Sequence, residues 1–577
     1  MKKMRQILLL ILGCGSFLPL QALDTAYYRS PLDGQMPLSL AGNFGEPRTN
    51  HFHSGIDFRV GGQPGAKLHA VAGGYVARIA VSPGGYGNAI YINHPNGTTS
   101  VYAHLHAFAP DIEAYITRIQ YAKKRFAVDE NIPPTAFPVQ KGQVIGTAGN
   151  SGNSFGAHLH FEIRETATAK TLNTVASGIF RMADDVAPQI HRIVFYEYRQ
   201  ADGVPAIAPC ADVRSFAAGG AQVVTVPDTF FVAIDADDRQ GGQSGILGLH
   251  RLTVALDNDV VFAYRMDGFL FKDTRYINSL YAYDLWTAQS RPMIKTYVEP
   301  GNNMLYLYDK AADEGLMTLP DRDVHTLCIT AFDDAGNTSH VVLRVARAAA
   351  DSGGVQPSVA AADSLPPVKP VKMYHHSDNY YECGGMRIDV PAGSLYRPVW
   401  FSADTLPRTD GAAAAVWRIH HNTTPLHLAA RLHLPADVPA RWRAKALMAS
   451  YNSKGNVVSA GGAWDGDGVT AKIASFGNYF VTIDTLPPAV KPLFADSADL
   501  RKHERLSVKI IDDLSGVDSY SAAIDGEWAL MEYDAKENVL HYLFNKARIK
   551  RNAAHTLTVT VSDRQRNSTT LKTRFVW

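Results

Sequence analysis

The sequence predicts a mainly β chain: an N-terminal antiparallel β-sheet domain with a helical insertion, followed by about three β-sandwich modules of immunoglobulin-like (Ig-like) type. Three observations carry this. Polar and apolar residues alternate strictly through His158-Leu159-His160-Phe161-Glu162-Ile163-Arg164, which is the period of a half-buried strand and not of a helix. Residues 27–173 are dense in glycine and in short β-patterned runs separated by turn signals. Further along, an internal repeat marks two related modules.

At 577 residues the chain is too long for one core, and a scale of about 100–200 residues per domain gives roughly three to five domains. Apolar content of 46% and charged content of 19% describe folded globular protein. The net charge of +1 gives no nucleic-acid footprint. Residues 1–22 place Lys2, Lys3 and Arg5 before an apolar run from Ile7 to Leu20 and then Gln21-Ala22. That is the layout of a secretory signal peptide, so export to a bacterial periplasm, cell envelope or exterior is expected. Ile11-Leu12-Gly13-Cys14 loosely resembles a lipobox, which makes lipid anchoring at Cys14 the alternative. No second apolar run is long enough to span a membrane. Cys210, Cys328 and Cys383 are odd in number and widely spread, so no disulfide framework is expected.

The first domain is expected over residues 27–183. Val71–Ile79, Ala89–Asn93, Thr99–Ala107 and Val144–Thr147 read as strands, separated by Pro83-Gly84-Gly85, Pro95-Asn96-Gly97 and Lys141-Gly142. An insertion over about 109–138 repeats Ile112, Tyr115, Ile116 and Ile119 at helical spacing and ends at Pro133-Pro134. It either covers a sheet face or forms one wall of a substrate groove. Proline-led phrases at Asp184–Pro188, Asp363–Pro367 and Asp484–Pro488 stiffen the chain where new modules begin. They divide it into a β-sandwich module at 184–345, a linker at 346–370, a β-rich module at 371–483 and a last sandwich at 484–577. In the repeat, His325-Thr326-Leu327 followed by Asp333 and Asn337 matches His555-Thr556-Leu557 followed by Asp563 and Asn567 at identical spacing. Ser244-Gly245-Ile246 likewise matches Ser515-Gly516-Val517.

Chemistry concentrates in the first domain. On a strand His158 and His160 share a face about 6.6 Å apart, close enough for one to ligate a cation and the other to stand just outside it. Upstream lies Asn50-His51-Phe52-His53-Ser54-Gly55-Ile56-Asp57. Four residues of straight strand span roughly 13 Å, so chelation by His53 and Asp57 together requires a bend, which Ser54-Gly55 supplies. An imidazole, a carboxylate and a histidine from another strand give three protein ligands and leave a fourth, open position. That is the pattern of a catalytic zinc site rather than a closed structural one.

His53-x-x-x-Asp57, Tyr102-Ala103-His104-Leu105 and the glycine-rich Gly146–Gly152 run leading into His158-Leu159-His160 together resemble the M23 metallopeptidases, the LytM and lysostaphin-type zinc endopeptidases. The resemblance covers about residues 40–166. It implies one Zn2+ ion held by His53, Asp57 and His160, with His104 and His158 as the catalytic non-ligand histidines. It also implies hydrolysis of peptide bonds in peptidoglycan cross-links, with peptidoglycan peptides as partners and the C-terminal β-modules open to glycan, to other envelope proteins or to one another. The alternative it implies is a catalytically inactive LytM-type regulator or scaffold of other cell-wall hydrolases; such members lose metal ligands, whereas every matching position is filled here. His106 is a competitor for the place of His104, and His51 is expected at the surface or just behind the metal. Glu162 is expected to pair with Arg164 or a backbone group rather than to ligate. Gly152-Asn153-Ser154-Phe155-Gly156 fits a nucleophile elbow in letters only, because it runs into a strand and not a helix.

Overall fold

The computed structural model describes residues 25–34, 38–216, 223–243, 245–348, 370–407, 412 and 415–577. The expected signal peptide, Cys14 and most of the expected linker lie outside them. Strands hold 50% of the chain and helices 9%. No disulfide joins Cys210, Cys328 and Cys383.

The first domain is built on an antiparallel sheet in the order Leu40–Gly42, Ile56–Arg59, His158–Glu165, Thr98–Ala103, Ala89–Asn93, Gly74–Val81, Val128–Asn131. The His158–Glu165 strand lies at its centre, and the period-two pattern decides which of its residues face the apolar core. Leu159, Phe161 and Ile163 are fully buried on one face, where Phe161 packs edge-on against Phe58, Tyr102 and Phe180 at 5.2–6.0 Å between ring centroids. The polar face is also covered: His160 is 3% exposed and Glu162 0%. A strand of this composition with both faces buried implies that its polar groups are partnered.

Two elements differ from expectation. The run from Thr99 breaks at His104, which adopts φ 61° between the Thr98–Ala103 and Leu105–Phe108 strands. The insertion helix, Pro110–Lys123, stops at a left-handed Lys124 and not at Pro133-Pro134. Its second half, Val128–Asn131, instead adds a strand beside Gly74–Val81. Ile112, Ile116 and Gln120 face the core. At the far end of the helix Tyr121 meets Trp528 edge-on at 5.2 Å and lies 3.8 Å from the Arg548 guanidinium. The same C-terminal module donates Lys536 Nζ to the Asn150 carbonyl.

Beyond the first domain, residues 189–347 form sheets of five and six strands. They are continuous with it, because Lys170–Leu172 pairs with Gly268–Leu270 and one apolar core spans both. Residues 371–483 contain two five-stranded sheets around a core of their own, and residues 489–576 contain sheets of four and five strands around another. The repeat has a structural job. His325 Nδ1 bonds Asp257 Oδ2 at 2.5 Å and the Thr326 amide donates to Asp257 Oδ1, while His555 and Thr556 do the same to Asp525. Asp257 and Asp525 both have positive φ, so each His-Thr pair clasps a strained turn.

Candidate metal centre

The His158–Glu165 strand pairs with Ile56–Arg59 on one side, in a register that puts His160 directly opposite Asp57. On the other side His160 faces Ala103, next to His104. His53 reaches the same point through a bend at Ser54-Gly55, and that bend requires glycine. A Cβ on Gly55 would lie 2.2 Å from the Phe161 carbonyl oxygen and 2.7 Å from Glu162 Cγ. We expect Gly55→Ala to lower stability by about 1–3 kcal/mol in chemical denaturation, as overpacking against backbone does. A variant as stable as the parent would show that the bend yields.

Three atoms converge. His53 Nε2 lies 3.0 Å from Asp57 Oδ1 and 2.9 Å from His160 Nδ1, and His160 Nδ1 lies 2.9 Å from Asp57 Oδ1. All three side chains are buried. Their outer hydrogen bonds fix what the inner atoms are. His53 Nδ1–H donates to the Asn43 carbonyl at 2.6 Å, His160 Nε2–H donates to Glu162 Oε1 at 2.8 Å, and Arg48 Nη2 donates to Asp57 Oδ2 at 2.9 Å. With both imidazoles neutral, three lone pairs point at one another, which is favourable only around a cation or a proton. Two imidazole nitrogens and one carboxylate oxygen suit a borderline-soft ion such as zinc. The edges of about 2.9–3.0 Å need to open only to roughly 3.3 Å for bonds of 2.0–2.1 Å.

The charge states agree. Burial pushes the His53 imidazole down to about 4, against the pull of Asp57. Burial also opposes charge on His160, but its hydrogen bonds to Asp57 and Glu162 win and push it up to about 9. Burial would raise Asp57, yet His53 and His160 hold it well below the usual carboxylate range. Metal-free protein thus keeps a proton in the triangle where a cation fits.

His104 and His158 stand beside this triangle, their rings 4.8 Å apart. His104 donates Nδ1–H to the Ser151 carbonyl at 2.8 Å, and His158 donates Nδ1–H to the Gly156 carbonyl at 2.9 Å. Among the described residues neither Nε2 has a hydrogen-bond partner, and that of His158 lies 3.6 Å from Asp57 Oδ1. Burial and the neighbouring imidazoles push His104 down to about 3. The kink at His104 separates it from its competitor: His104 is buried, whereas His106 is exposed. His51 is exposed and bonds the Thr49 carbonyl. Ser154 Oγ bonds the Gly156 carbonyl and is followed by a strand, which is no geometry for a nucleophile.

Glu162 is the hub behind His160. It accepts from Ser54 Oγ at 2.7 Å, Tyr86 OH at 2.5 Å and Arg164 Nε at 2.5 Å as well as from His160. Sequence reasoning missed Asn43, Arg48 and Tyr86, because each acts through a contact that no local spacing marks. The acidic Glu46 beside Arg48 was missed too, and burial pushes it up to about 7 despite the Arg48 charge.

Residues 51–120 and 135–173 match the family model described as Peptidase family M23. The chain carries an M23 metallopeptidase domain. The M23 match takes in all five histidine and aspartate positions above and skips 121–134, where the insertion helix ends and the extra strand runs. Residues 371–484 match a Zu5-like domain. Among curated relatives, the DD-carboxypeptidase/endopeptidase Mpg of Neisseria meningitidis serogroup B is 34% identical over 116 residues, 20% of this chain and 21% of that one. Peptidoglycan DD-endopeptidase ShyC of Vibrio cholerae is 28% identical over 162 residues, 27% and 30% of the two chains. The match thus spans about a fifth to a third of the length of these relatives. Among solved structures, the catalytic domain of lysostaphin from Staphylococcus simulans is 23% identical, covering 22% of this chain and 80% of that one at a TM-score of 0.16.

Proposed function

We propose that the protein is an exported, zinc-dependent endopeptidase that hydrolyses peptide cross-links of peptidoglycan. The observation that carries this is the triangle of His53 Nε2, Asp57 Oδ1 and His160 Nδ1, each atom oriented by its own outer hydrogen bond. The substrate class is supported by the names of the curated relatives, and export by the layout of residues 1–22. Bound zinc supplies Lewis acidity, polarising a carbonyl and bringing water toward ionisation near neutral pH. The chain's own groups do the rest. His104 and His158 present Nε2 lone pairs held in place by backbone carbonyls, ready to take a proton from water and to return it to the departing amine. Once protonated, either imidazole donates to the developing oxyanion. Neither is pulled toward the triangle by its second nitrogen.

The test is mass spectrometry of purified sacculi digested by the protein. Cleaved cross-links are expected from the zinc-replete protein. They should disappear after chelation, return when one equivalent of zinc is added, and be absent with Asp57→Ala. Unchanged muropeptides under zinc-replete conditions would refute the proposal.

A further inference from the structure

A second set of acidic side chains meets where the M23 domain joins the next module. Asp184 comes from the connecting segment, Asp238 from the end of the Thr229–Asp237 strand and Asp333 from the end of the His325–Phe332 strand. Each offers an oxygen within 4.8 Å of the others. Asp238 and Asp333 are 2% and 1% exposed. Among the described residues, no lysine, arginine or histidine forms an ion pair with any of the three.

The oxygens of Asp333 are occupied: Oδ1 takes the Gly336 and Asn337 amides at 2.7 and 2.8 Å, and Oδ2 takes Asn337 Nδ2 at 2.8 Å. Asp184 Oδ1 takes the Val186 and Gly241 amides. Among the described residues, Asp184 Oδ2 and both carboxylate oxygens of Asp238 are buried with no hydrogen-bond partner. An orphaned, buried carboxylate facing two others is strongly unfavourable unless something positive sits among them. Burial and the charges of Asp333, Asp184 and Asp334 push Asp238 up to about 7, opposed by the nearby Arg239 amide, which makes no hydrogen bond of normal geometry to either oxygen. The repeat supplies a contrast. Asp484, Asp512 and Asp563 form an equivalent group, but there Asp512 accepts from the Leu514 and Gly516 amides and Asp484 from the Ser515 amide. Among the described residues the orphaned oxygens belong to the first module, where Ser244, the counterpart of Ser515, lies outside the described residues.

We propose that Asp184, Asp238 and Asp333 hold one divalent cation of calcium's class. The donors are all oxygen, with no imidazole or thiolate, which selects hard cations over zinc. Calcium takes six to eight oxygens in flexible geometry, so three carboxylates completed by water suffice. The ion would act as a clamp between the two domains. Gln240, two residues past Asp238, bonds the Leu40 amide and the Leu38 and Ala183 carbonyls. Asp334, next to Asp333, holds Asn43 and Asn173 at 2.8 and 2.7 Å. Asn43 is the residue whose carbonyl orients His53. The inference does not depend on the peptidase reading.

The full-length protein, freed of loosely bound metal and reloaded with one equivalent of zinc, is dialysed against calcium chloride and its calcium counted by mass spectrometry. Asp238→Asn is expected to bind one ion fewer per chain than the parent. In thermal melts, calcium at about 100 times its Kd should raise the parent's Tm by about 2 °C or more and leave that increment out of the variant. The sign without calcium is diagnostic. Removing an orphaned charge should leave Asp238→Asn at least as stable as the parent in calcium-free buffer, with the order reversed in saturating calcium. Equal calcium counts for the two proteins, or a variant that stays the more stable at every calcium concentration, would overturn the proposal.

Discussion

His160→Ala is expected to purify with far less than one equivalent of metal and to cleave cross-links at least about 1,000-fold more slowly than the parent. The reason is geometric. His160 Nδ1 is 2.9 Å from each of the other two inner atoms, so its loss leaves only His53 Nε2 and Asp57 Oδ1, a two-donor site. A metal ion contributes several kcal/mol of transition-state stabilisation, and each 1.36 kcal/mol is a factor of ten. The variant should still fold, because Glu162 keeps three of its four donors and the core face of the strand is untouched. Metal content by mass spectrometry and digestion of sacculi read the two effects separately. His106→Ala, altering an exposed side chain outside the group, should change neither. If His160→Ala kept full activity in cells, the protein would be acting as a non-catalytic regulator of other hydrolases.

How much of this was legible in the sequence depended on whether a feature was local. The His-x-His alternation showed that His158 and His160 share a strand face, because period two is a property of consecutive residues. The need for a bend between His53 and Asp57 followed from strand rise alone, and Gly55 proved to be where the Phe161 backbone approaches too closely for any side chain. The His-Thr-Leu repeat was visible because each copy performs the same local task on a turn aspartate. The register that sets His160 against Asp57 was not visible, since pairing between residues 103 apart in sequence is a tertiary fact. Nor was the kink at His104. Left-handed φ at a non-glycine residue is disfavoured by roughly 1–2 kcal/mol, and it persists here because the His104 and Leu105 amides bond the Tyr86 and Asn88 carbonyls from a neighbouring turn. The helix end was misplaced for a related reason. Proline marks where a helix must have stopped, but Lys124 takes up a left-handed cap that bonds the Gln120 and Tyr121 carbonyls well before it.

Glu162→Gln should weaken both the fold and the metal site, and the two losses have separable origins. The carboxylate is completely buried and accepts from four donors, and among the described residues it is the anion paired with Arg164, itself only 12% exposed at the side chain. Burial would raise its pKa, but Arg164 and His160 hold it well below the usual carboxylate range, so it is charged throughout the neutral range. An amide in its place leaves Arg164 uncompensated and points an NH2 group at donors. Breaking a buried pair in this way costs about 3–5 kcal/mol, which a denaturant titration of the metal-free protein would read. The second loss acts through His160. Its Nε2–H would face a neutral acceptor at best, and the imidazole would become a poorer and less fixed ligand, lowering metal affinity by about 10–100-fold. Ser54→Ala separates the effects, since it removes one hydrogen bond to Glu162 Oε1 but leaves the charge, and should cost only about 1 kcal/mol with little change in affinity. A Glu162→Gln protein that bound metal as tightly as the parent would mean that His160 is oriented by its strand alone, and that the hub behind it serves the fold and not the ion.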